Sequence, residues 1–178
     1  LSAPTQRRFE ADMLAHIARC YPVDEALLGE GGLLAVIRDG QREAMAHSFT
    51  LAGDVRRFII LRMVLGSGFL RDPLLPWAAR ILAEGQGQPG TVGRLVAEAT
   101  DYLELASGDE GQYALRAILR ASAVSFDEAT ETGAGAEAEA ATLALLRRIW
   151  PQKFRLTRPE QRAGFLRVAA AAAAADGL

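Results

Sequence analysis

Apolar side chains recur at helical spacing along most of the chain, and this pattern constrains the fold more than any other feature. There is no sustained alternation of apolar and polar residues, and Thr, Val and Tyr rarely cluster, so strands are not expected. Half of the 178 residues are hydrophobic and only 7% are aromatic, which suits a helical globular protein. The sequence therefore predicts one all-α domain over residues 1–178, a bundle of about seven or eight helices.

Residues 58–65 form the most apolar helix that the spacing predicts. This segment, Phe-Ile-Ile-Leu-Arg-Met-Val-Leu, is apolar on nearly every side apart from Arg62, so we expect it at the centre of the fold. Gly66-Ser67-Gly68 is a helix stop. A buried Arg62 requires a carboxylate partner, and Asp72 is the first candidate because the intervening turn can return it to the helix.

The next segment, residues 69–77, combines two prolines with a tryptophan, and we name it the proline corner. Asp72 is a good N-cap and Pro73 suits a first helical turn, so a helix is expected from Asp72 to about residue 85. Pro76 and Trp77 then fix the shape of the chain. We assign structural roles to Asp72, Pro73 and Pro76, as to Arg62.

The same corner supplies the candidate partner-binding residues. Phe69, Arg71 and Trp77 belong to types that are enriched at interface hot spots. If these side chains are exposed, we expect them to anchor a protein partner. The alternative is that Trp77 packs beneath Pro76 as part of the core.

The remaining helices follow from apolar stripes, caps and breakers. They are a first helix that ends at Pro22, a second over about residues 30–47, a third capped by Thr50, a fifth from Val92, a sixth through Tyr113, Ala117 and Ile118, a seventh over about 140–150, and an eighth opened by a capping box at Thr157 and Glu160. Residues 125–140 are acidic and rich in Ala and Gly, which indicates a linker or a weak helix. The alanine-rich tail, residues 169–178, is expected to fray.

The two ends of the chain resemble each other. Residues 14–22, Leu-Ala-His-Ile-Ala-Arg-Cys-Tyr-Pro, align without a gap with residues 143–151, Leu-Ala-Leu-Leu-Arg-Arg-Ile-Trp-Pro, and Arg38 then meets Arg167. Both segments predict a helix, an aromatic-Pro stop, a short loop and a second helix. This indicates a degenerate helix-pair repeat. The alternative is that helices rich in Leu, Ala and Arg match by composition alone.

The sequence contains few residues suited to catalysis, and we predict a protein that is not an enzyme. His16 and His47 are the only histidines, and the expected role of each is structural. Cys20, the single cysteine, excludes an internal disulfide, and its place on an apolar stripe predicts a buried, inert thiol. No hydrolase, nucleotide-binding or metal motif occurs. We expect no catalytic residues, no metal ligands and no cofactor.

Charge and hydropathy limit which partners and which cellular compartment are expected. Residues 95–140 carry ten acidic and two basic side chains, whereas residues 141–178 carry seven basic and two acidic ones. The basic end can pair with the acidic middle, so nucleic-acid binding is not expected. No apolar run reaches the length of a membrane span, and no signal peptide is visible, so a cytoplasmic protein is predicted.

Several motifs resemble those of a family of small uncharacterised bacterial proteins. The motifs are Leu28-Gly-Glu30, Ile37-Arg-Asp-Gly40, Gln41-Arg-Glu-Ala44, Asp54-Val55, Leu65-Gly-x-Gly-Phe69 and Asp72-Pro-x-x-Pro-Trp77. The resemblance covers roughly residues 10–105. Members of that family are helical, and their genes often lie beside those of PAAR-type spike proteins and type VI secretion effectors. The family brings no established activity or catalytic residues.

This resemblance implies a place in a secretion locus. The leading hypothesis is a non-enzymatic adaptor or chaperone that binds a secreted effector or spike protein. The alternative is an immunity protein that neutralises a cognate toxin, with its acidic segment 95–140 as the candidate surface. A third hypothesis, from another class, is an enzyme or effector. The sequence does not determine the oligomeric state.

Overall fold

The protein is all-α, as predicted. A computed structural model describes residues 3–85, 88–125 and 135–175, and within these ranges it contains nine α-helices and no strand. The helices are α1 (Ala3–Cys20), α2 (Pro22–Ala46), α3 (Ala52–Leu65), α4 (Pro76–Glu84), α5 (Thr91–Ser107), α6 (Gln112–Ser122), α7 (Ala136–Ile149), α8 (Pro151–Arg155) and α9 (Pro159–Ala175). The helix beyond the expected number is the short α8. None of the helices in these ranges is long and apolar enough to cross a membrane.

The chain forms two compact units. Unit 1 comprises Leu1–Leu70 and Trp77–Val96, and unit 2 comprises Arg71–Pro76 and Ala97–Leu178. The proline corner therefore contributes to both units. The extent of a single domain, residues 1–178, stays a prediction.

The core of unit 1 lies where α2 packs against both α1 and α3. All three helices contribute fully buried side chains, among them Met13, Ile17, Leu33, Ile37, Phe58 and Ile59. Leu61 is buried as well, so the expected burial of the apolar third helix is confirmed at its central residues. Gly66 ends this helix with a φ of 98°, as the glycine stop predicted.

Helices α2 and α3 are in close contact at Gly40. A Cβ atom on Gly40 would lie 2.7 Å from Cγ1 of Ile59, so the absence of a side chain is what permits the contact. Beside it, the ring of Phe58 lies 5.5 Å from that of Phe49 and 5.9 Å from that of Phe69. The glycine and the aromatic cluster together seat α3 against α2.

We predict that Gly40→Ala destabilises the protein although alanine favours helix. Overpacking against buried Ile59 costs about 1–3 kcal/mol, which exceeds the gain of about 0.5–1 kcal/mol from helix propensity. Gly53→Ala is the matched control, because Gly53 also lies in a helix and has open space at the Cβ position. Urea denaturation should give a lower free energy of unfolding for Gly40→Ala and an equal or higher one for Gly53→Ala. Equal stabilisation by both would contradict the close approach.

Unit 2 is organised around the end of α5 and around α6, which packs against α7. The Trp150 indole Nε1 donates a hydrogen bond of 2.8 Å to the carbonyl of Ala106 near the end of α5. At the turn between α5 and α6, the ring of Tyr113 occupies the space where a Cβ of Gly108 would lie. These contacts fix which face of α6 is turned inward.

The predicted starts of α3 and α4 were wrong by one and by four residues. The N-cap of α3 is Leu51, not Thr50, and no side chain caps it. Helix α4 begins at Pro76, so Pro76 and not Pro73 lies in its first turn. Asp72 instead accepts a hydrogen bond of 2.8 Å from the backbone N–H of Leu74, which stabilises the turn before the helix.

The predicted capping box at Thr157 and Glu160 was wrong. Thr157 donates its hydroxyl to the carbonyl of Phe154. One residue later, the backbone N–H of Arg158 donates to Oε1 of Gln161 at 2.6 Å, which is one of the two bonds of a capping box. Arginine has no side-chain acceptor, so the second bond cannot form.

The helix boundaries follow the repeat that the sequence indicates. Tyr21 (φ −134°, ψ 58°) and Trp150 (φ −132°, ψ 74°) adopt nearly the same backbone conformation, and each precedes a proline that opens a helix. Gly29 interrupts α2 with a φ of 63°, and the break between α8 and α9 falls at the aligned position. At the same alignment, α2 and α9 end at aligned alanines. The two ends therefore share the order and the boundaries of their helices, but within the described residues the packing of α1 on α2 has no counterpart of similar extent between α7 and α9.

Two predicted segments extend beyond the described residues. Of the acidic segment 125–140, residues 126–134 lie outside them, and α7 begins at Ala136, four residues before its expected start. Of the tail 169–178, α9 continues to Ala175 and residues 176–178 lie outside the described ranges.

Candidate functional site

The proline corner does not present its aromatic residues as one exposed anchor. Phe69 is 1% exposed, and its ring packs on Phe58 in the core of unit 1. Trp77 is half-buried at the start of α4, and Arg71 is exposed. The prediction of a joint Phe69–Arg71–Trp77 anchor is therefore wrong for Phe69, because this ring is needed to fill the core.

Arg62 is buried, and its partners come from α2. Its guanidinium lies 2.5 Å from Oδ2 of Asp39 and 3.0 Å from Oε2 of Glu43. Asp72 is therefore not the partner. Hydrogen bonds from Arg62 and then from Arg42 hold the pKa of the Asp39 carboxyl below its usual value. The cluster joins α2 to α3 beside Gly40: Nη2 of Arg62 donates to Asp39, whereas Nη1 forms an ion pair with Glu43 without hydrogen-bond geometry.

A second polar cluster, which the sequence did not predict, joins α1 to α2 and is built on the buried Glu10 and Gln41. Arg38 donates two hydrogen bonds to the carboxylate of Glu10, at 2.9 and 3.0 Å, and Gln6 donates a third at 2.9 Å. Gln6 also donates to the amide oxygen of Gln41 at 2.7 Å. The bonds from Arg38 and then Gln6 hold the pKa of Glu10 at about 2, against an ordinary value of 4.5.

We predict that the ionisation of Glu10 makes the free energy of unfolding depend on pH in the acidic range. Its folded-state pKa is depressed, so its stabilisation is complete above pH 4.5 and is lost as the pH falls towards about 2. Glu10→Gln should lower the free energy of unfolding at neutral pH by about 1–2 kcal/mol. The free energy of unfolding of this variant should also fall less between pH 4.5 and about 2, as measured by urea denaturation across this range. Glu139→Gln is the control, since Glu139 aligns with Glu10 in the repeat but is exposed; an equal effect of both substitutions would contradict the assignment.

The groups suited to chemistry do not assemble into a centre. Among the described residues, no group of three or more His, Cys, Asp or Glu side chains could hold a metal ion. Cys20 is exposed, so the prediction of a buried thiol was wrong; its Sγ lies 3.9 Å from Nδ1 of His16 on the same helix. His47 packs its ring near those of Phe49 and Phe58.

The feature best suited to a function is an apolar stripe on α6 that is turned to solvent. Leu115, Ile118 and Leu119 are 60%, 64% and 61% exposed. Ala117, by contrast, is 2% exposed and marks the inward face. We call Leu115, Ile118 and Leu119 the α6 stripe; they are spaced i, i+3, i+4, which places them on one side of the helix.

The sequence predicted a sixth helix through Tyr113, Ala117 and Ile118 without saying which side of it is buried. The structure covers the small Ala117 and leaves the larger Leu115, Ile118 and Leu119 exposed. An uncovered apolar stripe of this kind is typical of an interaction surface.

Basic side chains border the α6 stripe. Arg116 and Arg120 are both exposed on the same helix, and Arg120 also donates a hydrogen bond of 3.4 Å to the carbonyl of Ile149. The surface therefore combines an apolar centre with a positive edge. This arrangement fits an apolar protein segment bordered by carboxylates.

Comparisons of the chain with protein-family models, with curated proteins and with solved structures each gave no match.

Proposed function

We propose that the protein is a cytoplasmic, non-enzymatic adaptor or chaperone that binds a protein partner through the α6 stripe. The observation that carries the proposal is the exposure of Leu115, Ile118 and Leu119 by about three fifths each. Covering a side chain of this kind contributes about 1.5–3 kcal/mol when burial is complete. Three such residues on one helical face are enough to serve as the centre of an interface.

The partner we propose is a secreted effector or spike protein, which is what the family resemblance implies. The surface adds a chemical requirement: the contacting segment should be an amphipathic helix with Asp or Glu beside its apolar face. Such a helix would lay its apolar side on the α6 stripe and its carboxylates near Arg116 and Arg120. This mode of binding needs no reactive group in the adaptor.

An immunity role is the second candidate, and one observation favours it. Glu98, Asp101 and Glu104 on α5 are all exposed, and they form an acidic surface of the kind that pairs with a basic toxin. An adaptor and an immunity protein differ in outcome rather than in chemistry, because only the immunity protein protects a cell from its partner. An enzyme or effector is the third candidate, and no described surface favours it.

We predict that Ile118→Glu abolishes partner binding without unfolding the protein. A charge at the centre of the α6 stripe should weaken binding by at least about 30-fold, while a surface change should alter stability by no more than about 0.5 kcal/mol. Leu27→Glu is the matched control, because Leu27 is 79% exposed on α2 and lies outside the stripe. The measurements are thermal melting and binding to purified effector and spike proteins encoded beside the gene.

The outcomes separate the candidates. Loss of binding with Ile118→Glu and not with Leu27→Glu supports the adaptor proposal. Unchanged binding by Ile118→Glu, with loss on changing Glu98 and Asp101 to Lys, contradicts it and favours the acidic surface. If expression of the protein then rescues cells from the toxicity of that partner, the function is immunity.

A further inference from the structure

Unit 2 contains a small apolar cavity that neither the α6 stripe nor the buried polar clusters explain. Its volume is about 210 Å³, and it lies between the ends of α7, α8 and α9 and the segment Arg71–Pro76. Its apolar wall consists of Leu74, Leu146, Ile149, Trp150, Phe154 and Phe165. Three of these side chains are aromatic, so the wall suits a flat apolar group.

Two cations on the wall are held by rings rather than by carboxylates. The ammonium of Lys153 lies 5.3 Å from the centroid of the Trp150 ring, and the guanidinium of Arg162 lies 4.3 Å from that of Phe154. Within the described part of the chain, neither cation lies within 4.0 Å of a carboxylate oxygen. Their charge therefore remains available to an anion in the cavity.

One carboxylate, Asp72, completes the charged wall. Its Oδ1 already accepts the N–H of Leu74 at 2.8 Å. Two cations and one carboxylate give the wall a charge of +1, which matches one negative charge on a ligand and no more.

The size of the cavity limits the apolar part of the ligand. An apolar cavity of about 150 Å³ accommodates benzene, whereas pockets for drug-sized ligands measure about 300–1,000 Å³. A cavity of about 210 Å³ thus has space for one ring and a short chain, and not for a nucleotide or a fused cofactor.

We propose that this cavity binds a single-ring apolar carboxylate, with the ring against Trp150 and Phe154 and the carboxylate on Arg162 and Lys153. Two sources carry this chemistry: a free aryl-alkanoic acid, and the C-terminal Phe of a peptide. The site is independent of the α6 stripe, so either proposal can fail alone.

The test uses Trp150 as its own reporter. The chain has two tryptophans, so Trp77→Phe leaves Trp150 as the only one. We expect 3-phenylpropionate to change the Trp150 fluorescence saturably, and 3-phenylpropanol and 3-phenylpropylamine to bind at least about tenfold more weakly. Ligand-observed NMR on the unaltered protein measures the same ranking if Trp77→Phe does not fold.

A pair of substitutions then tests whether the Arg162 guanidinium binds the carboxylate of the ligand. Arg162→Gln should weaken binding of 3-phenylpropionate about tenfold, whereas Arg155→Gln, an exposed cation on α8 outside the cavity, should not. A tetrapeptide that ends in Phe with a free carboxylate distinguishes the two sources, and its C-terminal amide is the control. If the peptide acid binds more tightly than 3-phenylpropionate, the ligand is a chain terminus. If 3-phenylpropionate binds more tightly, the ligand is a free acid. No saturation by either ligand up to about 10 mM, or equal binding of the acid and the alcohol, would overturn the proposal.

Discussion

The contact between α2 and α3 at Gly40 is the constraint on which unit 1 depends. A glycine allows the helices to approach until Ile59 fills the space of the missing side chain. This proximity brings Asp39 and Glu43 within ion-pair distance of Arg62, so a buried guanidinium is compensated and not stranded. Because α3 is fixed in this way, the ring of Phe58 packs against the neighbouring aromatic rings. Close packing and charge pairing therefore support each other at one interface.

The two ends of the chain share the boundaries of their helices but differ in their side-chain contacts. Both ends have the aromatic-Pro turn, the break after one short helical segment and the longer helix that follows. At the first end the buried Glu10 pairs with the exposed Arg38, whereas Glu139 and Arg167 at the aligned positions are both exposed. The second end instead lines a cavity with its own aromatic residues. The same order of helices thus carries a polar network in one unit and a candidate ligand site in the other.

The sequence could predict the helices, the glycine stop and the burial of the third helix, because helical periodicity and backbone preferences act over a few residues. It could not choose the partner of Arg62, since Asp39 and Asp72 are equally suitable carboxylates and only the tertiary fold decides between them. It could not show that Ile118 is exposed, because periodicity identifies apolar positions on a helix without showing which of them are covered. It also treated Phe69 as an anchor, although burial beside Phe58 could be seen only in three dimensions. The resemblance to proteins of secretion loci remains an expectation.

The central claim is that α6 turns its larger apolar face outward to be covered by a partner. Thiol labelling tests this most directly, in a Cys20→Ser background that removes the only native cysteine. Ile118→Cys should react at the rate of an exposed thiol in the isolated protein and become protected when the partner is bound, whereas Ala117→Cys should be protected in both states. Protection of Ile118→Cys in the isolated protein, or unchanged labelling of it in the complex, would contradict the account.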